Sequence, residues 1–461
     1  MSKKLLNNPL ILFDKNYFKI SKYTVPSEQY IVAVDVGSSS VKLAIASKIL
    51  DEKNRVQIFA LLERPSFGIK KGVITDMSQV SSAVYDVVAE AEAVIGINIK
   101  EVLIGISASG VEFVHSEGYI PLSGNEVEEP DVDRVVHDSL KKAFNLRDKE
   151  ILQFFPLSFI LDDQGGIKNP LGMVGEKLSC RTVVITAEPG SIRNFARIFN
   201  QAELDIIDKL YMPFVASEQI LTQRQKSVGS VLVDIGYSTT TFVVWSNEEI
   251  LGSGVINLGS EKITSDLSYG LQTSIDIGEE IKQNHLDLMG DQSSLPEDFE
   301  IFDPETRTNY SLNLKEINGF ATQRVEEMFL MLLKKLYENF GSVKFPGGLI
   351  LTGGGSNLKG IHEIARQITN MPVYKNVYND RDVKFILDFN DDPVYANVIS
   401  MVAYALRHPD EMGTDRNIFD NDYRNQRDER INNRGNNGGK YSNSKSSNKS
   451  IWNSITGIFG R

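Results

Sequence analysis

Two segments of the chain carry one pattern: residues 32–46 read VAVDVGSSSVKLAIA and residues 231–245 read VLVDIGYSTTTFVVW. In each, an apolar run rich in β-branched residues meets Asp-x-Gly, then a cluster of small hydroxylated residues, then a second apolar run. That is the pattern of a β-hairpin with a functional turn. One copy fits any hairpin. Two copies, with Asp35 aligned on Asp234 and Gly37 on Gly236, predict two related halves facing each other across a cleft.

Glycine at the turn lets backbone approach a ligand closely, so successive N–H groups and the hydroxyls of Ser38, Ser39, Ser238 and Thr239 can point at phosphate oxygens. Asp35 and Asp234 end their strands at matching places, where a carboxylate can hold a water of hydrated Mg2+, an ion that keeps several waters. Lys42 on the outgoing strand adds a point charge against the phosphates. Without a ligand, the same Asp and Ser residues would simply satisfy turn backbone. A third element, residues 348–360 (GLILTGGGSNLKG), runs an apolar strand into Gly353, Gly354 and Gly355, where a flat adenine or ribose can lie on bare backbone. Ser356 is expected to cap a helix starting near Leu358. Neither GxxxxGK[ST] nor GxGxxG occurs, which removes P-loop and Rossmann readings.

A length of 461 residues holds two or more domains with full cores, and a net charge of -12 argues against nucleic acid as a bulk partner. Cys180 is the single cysteine, which excludes intrachain disulfides and fits a reducing cytoplasm. The five histidines show no metal-ligand spacing. No apolar run approaches the ~20 residues of a spanning helix, and the opening MSKKLLNNPLILFDKNYF does not make a signal peptide.

Read along its length, the chain divides into an extension (1–28), a first half (29–98 and 181–226), an α+β module inserted within it (99–180), and a second half (227–410) with its own insertion at about 262–342. Residues 79–96 carry helical apolar spacing. Residues 411–448 are dominated by Asn, Ser, Gly and charge and are expected to form a disordered linker. Residues 449–461 restore apolar character. At 100° per residue Ile451, Trp452, Ile455, Ile458 and Phe459 share an arc of about 120°, and no acidic residue occurs after Arg430. Such a basic, amphipathic helix suits an anionic bilayer surface; a docking motif for another protein is the alternative.

With both hairpins, the triple glycine, the phrases VVHDSLKKAF, GIKNPLG and ITSDLSYGLQT, and the linker with its terminal helix in view, the chain resembles the FtsA family of bacterial division proteins, within the actin and heat-shock ATPase superfamily. The resemblance implies an α/β, actin-like (ribonuclease H-like) two-domain fold with a nucleotide cleft. It implies binding of ATP with Mg2+, self-assembly into a polymer, contact with the FtsZ C-terminal tail and with later division proteins, and attachment to the anionic inner face of the cell membrane at the division site. By position it assigns Asp35, Gly37, Ser38, Ser39 and Lys42 to one phosphate loop, Asp234, Gly236, Ser238 and Thr239 to the other, and Gly353 to Gly355 to the adenosine loop. Glu261 and Lys262 are then expected ribose contacts, and Arg324 and Glu327 expected FtsZ contacts; the alternative for the latter pair is a solvated helix face.

One departure bears on turnover. The superfamily's second loop commonly reads DxGGGTxD, whereas here Tyr237 and Ser238 replace glycines and Thr241 stands where the last acid would be. A hydroxyl is a poor general base, so slow or negligible hydrolysis is expected, with ATP acting as an assembly ligand. Two related readings remain: a nucleotide-binding pilus-assembly protein of the PilM kind, and an actin-fold sugar kinase, for which no acceptor-side base is identifiable.

Overall fold

The computed structural model describes residues 19–20, 30–48, 56–107, 110–124, 126–143, 149–289, 298–303, 307–376, 383–385, 392–409 and 412. Most of the extension, the linker and the amphipathic segment carrying Ile451, Trp452, Ile455, Ile458 and Phe459 lie outside the described residues.

The two duplicated hairpins nucleate two sheets of the same topology. In the first lobe, strands Tyr30–Val36, Ser40–Lys48 and Val56–Pro65 form an antiparallel meander; Glu101–Ile106 then joins parallel to the first strand and Asp205–Tyr211 parallel to that. In the second lobe Ser230–Ile235, Thr240–Ser246, Glu249–Ile256, Leu349–Thr352 and Val373–Lys375 repeat the plan. Both sheets share the order third, second, first, fourth, fifth, and the first-lobe sheet is extended by Lys19–Ile20 and Val383–Phe385, which both pair with Val56–Pro65. Parallel neighbours need a crossover, and helix covers both faces, which is why the central strands are apolar at nearly every position. Helix Met77–Ile95 supplies the first crossover. Asp76 caps it by accepting from the Gln79 N–H, Gly96 closes it at φ 75°, and Val80, Val84, Val87, Val88 and Ala91 form its buried face.

The inserted module is a four-stranded antiparallel sheet, ordered Gln164–Ile167, Glu150–Leu161, Lys177–Ala187, Glu112–Pro121, with helix Glu129–Ala143 on one face. The helix sits directly on the sheet because Gly118 has no side chain: a Cβ there would meet the Ser139 amide nitrogen at 2.3 Å. Cys180 is buried in this core, and burial pushes its thiol up to about 12, so it stays protonated and inert. The expected boundaries shift. Strand Glu101–Ile106 pairs with the first-lobe sheet, so the module starts after it rather than at 99, and its last strand continues to Ala187 rather than stopping at 180. Period-two apolar alternation marks a strand without saying which sheet it joins.

Between Glu249–Ile256 and Leu349–Thr352 the second lobe carries helices Glu261–Leu271 and Ile275–Asn284, the hairpin Asp298–Asp303/Thr308–Asn313 and the long helix Leu314–Phe340, started by Asn313 accepting from the Lys315 and Glu316 N–H groups. Helix Ala396–Arg407 follows the second lobe in sequence but packs into the first-lobe core, where Val398, Ile399, Met401, Val402, Tyr404 and Ala405 are buried. No helix among the described residues is long and apolar enough to cross a membrane.

Candidate functional site

The two hairpin turns close identically. The Gly37 N–H donates to the Ser40 carbonyl and the Gly236 N–H to the Thr239 carbonyl, both at 2.9 Å. Within the first hairpin Asp35 lies opposite Lys42; at the same register in the second, Asp234 lies opposite Thr241. The turns then meet across the cleft, with Ser38 Oγ 2.6 Å from Ser238 Oγ, while the Lys71 N–H donates to Ser238 Oγ at 3.1 Å. Lys42 is held by Ser40 Oγ at 2.7 Å and Glu63 at 3.6 Å.

Asp35 and Asp234 are brought together from opposite lobes. Asn397 donates from one amide nitrogen to Oδ2 of each, at 3.2 and 3.3 Å. Burial pushes the Asp234 carboxyl up to about 6, with the Asp35 charge adding to the rise and Asn397 and Lys42 opposing it. Asp35 is raised for the same first reason, against Lys42 and Asn397. Two facing carboxylates, Asp35 buried and Asp234 half-buried, repel and call for a cation, and together they fit a hydrated divalent ion that takes few protein ligands.

The triple glycine closes against the second hairpin. Gly353 lies at φ 79°, and a Cβ there would fall 2.1 Å from Asp234 Oδ1; a Cβ on Gly355 would fall 2.4 Å from the Ile235 side chain. At Gly354 the nearest atom is a Val394 methyl at 3.4 Å, so that glycine has room around it. Ser356 does not cap the following helix, contrary to expectation. Its hydroxyl donates to the Gly353 carbonyl at 2.7 Å inside a 3-10 turn, Gly354–Asn357, and the helix starts only at Ile361 behind left-handed Gly360.

All fourteen expected nucleotide positions except Glu261 and Lys262 line one cleft of about 1110 Å3. Those two begin helix Glu261–Leu271 and are not among the lining residues, although the Glu261 N–H donates to the carbonyl of Tyr237, which does line the cleft, at 2.8 Å. The wall is built by the next helix instead, through Glu279, Lys282 and Gln283, with Tyr237 beside them. Buried Lys282 donates to Glu279 Oε2 at 2.7 Å and Thr264 Oγ1 at 2.9 Å. Burial lowers the Lys282 ammonium despite its Glu279 partner. Burial alone would raise Glu279, but the Lys282 charge and the hydrogen bonds from Lys282, Thr264 and Gln283 outweigh it and hold that carboxyl low. A buried lysine paired with a half-buried glutamate at a cleft wall, three residues apart on one helix, is the signal that distinguishes these residues from an ordinary solvated pair. Asn397 was likewise missed, since nothing in PVYANVISMVAYALR separates it from a helix start.

Arg324 and Glu327 fall on helix Leu314–Phe340, away from the cleft. Arg324 forms a two-pronged ion pair with Asp266 of the neighbouring helix (2.6 and 3.1 Å) and also bonds Glu327.

The family model described as cell division protein FtsA matches residues 231–400, and that of the SHS2 domain inserted in FTSA matches 108–186. Cell division protein FtsA of Neisseria meningitidis serogroup B is 30% identical over 348 residues, covering 75% of this chain and 83% of that protein. The chain belongs to the FtsA family. FtsA of Enterococcus faecalis is 29% identical, with 82% of this chain and 83% of the relative covered. Among solved structures, the PilM-PilN type IV pilus biogenesis complex superposes with a TM-score of 0.58 at 15% identity, covering 83% of this chain and 99% of the other. That likeness shows the two-lobed actin-like fold, as expected from the sequence. It says nothing about the partner.

Proposed function

We propose that this FtsA-family division protein binds Mg-ATP between its lobes, self-assembles, and tethers FtsZ polymer to the inner face of the cell membrane, helping to recruit later division proteins. The observation that carries the nucleotide reading is the convergence of two hydroxyl-rich turns, two carboxylates bridged by one amide and the glycine loop on one cleft. In this reading Gly37, Ser38, Ser39, Gly236, Ser238 and Thr239 hold phosphate oxygens, Lys42 balances their charge, and Asp35 and Asp234 hold the waters of Mg2+. Gly353, Gly354 and Gly355 form the adenosine loop, and Glu279, Lys282 and Gln283 supply its polar wall beside the helix that Glu261 and Lys262 begin. Mg2+ supplies neutralisation of the triphosphate against the two carboxylates. Thr241 offers no general base, which supports slow turnover.

The tethering reading rests on membership of the FtsA family and on the sequence of residues 449–461, whose Ile451, Trp452, Ile455, Ile458 and Phe459 face an anionic bilayer. Arg324 and Glu327 are proposed contacts for the FtsZ C-terminal tail. Titration calorimetry of the full chain with ATP in MgCl2, and with an FtsZ C-terminal peptide, tests the two halves of the proposal separately. Absence of ATP binding overturns the cleft reading; absence of peptide binding overturns the tether.

A further inference from the structure

Asn397 is the second residue of helix Ala396–Arg407, whose following turns are buried in the first lobe. Its amide nevertheless reaches both lobes' carboxylates, 3.2 Å from Asp35 Oδ2 and 3.3 Å from Asp234 Oδ2. A primary amide nitrogen carries two N–H bonds and an ionised carboxylate only accepts, so one nitrogen satisfies two acidic partners without bringing a charge of its own. The helix start is itself held in place. Asp392 accepts from the Val394 N–H at 3.0 Å and from Asn357 Nδ2 at 2.9 Å, which ties it to the 3-10 turn of the glycine loop. Val394 packs towards Gly354 from the same side. Asn397 therefore sits where the first-lobe helix, the second-lobe glycine loop and both carboxylates meet.

We propose that Asn397 is a positioning residue for the divalent cation of the nucleotide complex, pinning the carboxylates of Asp35 and Asp234 as one pair so that a single hydrated ion meets both. The inference deepens the nucleotide reading above and rests on it. Its physical content is donation: a side chain of the same size without N–H bonds leaves two like charges facing each other unbridged, and the lobes lose a bond between them. Partners that orient metal-holding groups typically change metal affinity by about 10–100-fold when removed.

The test uses Asn397→Ala and the near-isosteric Asn397→Asp in the full chain. ATP affinity is measured in MgCl2 and in EDTA, and melting of the nucleotide-free protein is followed with and without MgCl2. For Asn397→Ala the expected result is a loss of about tenfold or more in affinity with Mg2+, against less than about twofold in EDTA. Asn397→Asp fits the same space but places a third carboxylate there, so its melting temperature is expected to fall and to be restored by Mg2+ alone, unlike that of the wild type. Equal losses for Asn397→Ala in both buffers, or an Asn397→Asp protein that melts and binds like the wild type, would overturn the proposal in favour of simple packing. A wild type that binds no ATP sinks the nucleotide reading instead. The melting comparison contains no nucleotide, so it still decides whether Asn397 acts by donation.

Discussion

At the scale of single residues, the proposed nucleotide cleft costs the fold stability, and Asp234 shows it best. Its carboxyl is raised to about 6 from an ordinary value near 3.8. For an acid raised on folding, the stabilising contribution is fully present below about pH 4 and is lost as pH rises past 6. Asp234→Asn should therefore raise the melting temperature of the nucleotide-free protein at pH 7.5, by on the order of 2 kcal/mol in stability, with the advantage vanishing near pH 4. The same variant should bind Mg-ATP at least about tenfold more weakly. Melting scans across pH and calorimetry check both signs. The glycines separate in a similar way. Gly353→Ala forces a Cβ onto Asp234 Oδ1 at positive φ and should disrupt folding of the second lobe, whereas Gly354→Val meets only a methyl at 3.4 Å and should weaken ATP binding in a folded protein, as read by circular dichroism alongside titration. Thr241→Asp, set opposite Asp234 in the hairpin, should raise the ATPase rate or its Mg2+ dependence; an unmodified protein already turning over at ~10 s⁻¹ would show that the missing acid does not matter.

At the scale of elements, what the sequence made legible was whatever carries its signal locally. The hairpins could be read because strand, turn and strand are contiguous and occur twice, and Asp35 with Asp234 followed from that repetition. Helix Met77–Ile95 was legible from its apolar spacing, and Asp76 and Gly96 stop it within about two residues of the expected ends. The cleft wall was not, because Lys282 shares its helix with buried Ile277 and Ile281 and acquires meaning only when that helix folds over the cleft. Ser356 misled for another reason: a hydroxyl after glycines serves a helix cap or a 3-10 turn equally well, and the close fit of Gly355 against Ile235 decided for the turn. On helix Leu314–Phe340 one residue proposed for docking, Arg324, also holds the structure together. Arg324→Ala should cost about 1 kcal/mol of stability by breaking its pair with Asp266, and Asp266→Asn should cost a similar amount, while Glu327→Ala, on the more exposed side chain, should cost little. Loss of FtsZ-peptide binding in Glu327→Ala with unchanged melting would support that contact; retained binding in both Arg324→Ala and Glu327→Ala would remove this helix face from the interface.

At the scale of the whole molecule, the proposed reading gives the cleft and the amphipathic sequence 449–461 different work. One short amphipathic segment with three Ile, one Trp and one Phe buries limited apolar area, and each nearby cation adds about 1 kcal/mol at an anionic surface, so a single copy should bind weakly, reversibly and salt-sensitively. Several copies carried on one polymer would hold each other near the bilayer at high effective concentration. Trp452→Glu, or removal of residues 451–461, should then release the protein from anionic liposomes while leaving ATP and FtsZ-peptide affinities unchanged; sedimentation at low and moderate salt reads the outcome. Retention of the shortened protein on lipid would rule this segment out as the anchor.

The return of helix Ala396–Arg407 to the first lobe also sets an order of events during synthesis. The strands that this helix covers are made before the second lobe, yet Leu43, Ile45 and Leu103 share one core with Val398, Ile399 and Val402, which are translated only after it. The first lobe cannot close while the second is still being made, so the nascent chain must keep apolar strands exposed until residues 396–407 have followed the second lobe out. A ribosome-stalled chain ending before Ala396 should therefore be captured by chaperones and cut readily by protease in its first lobe, while one stalled late enough for residues 396–407 to clear the exit tunnel should resist both.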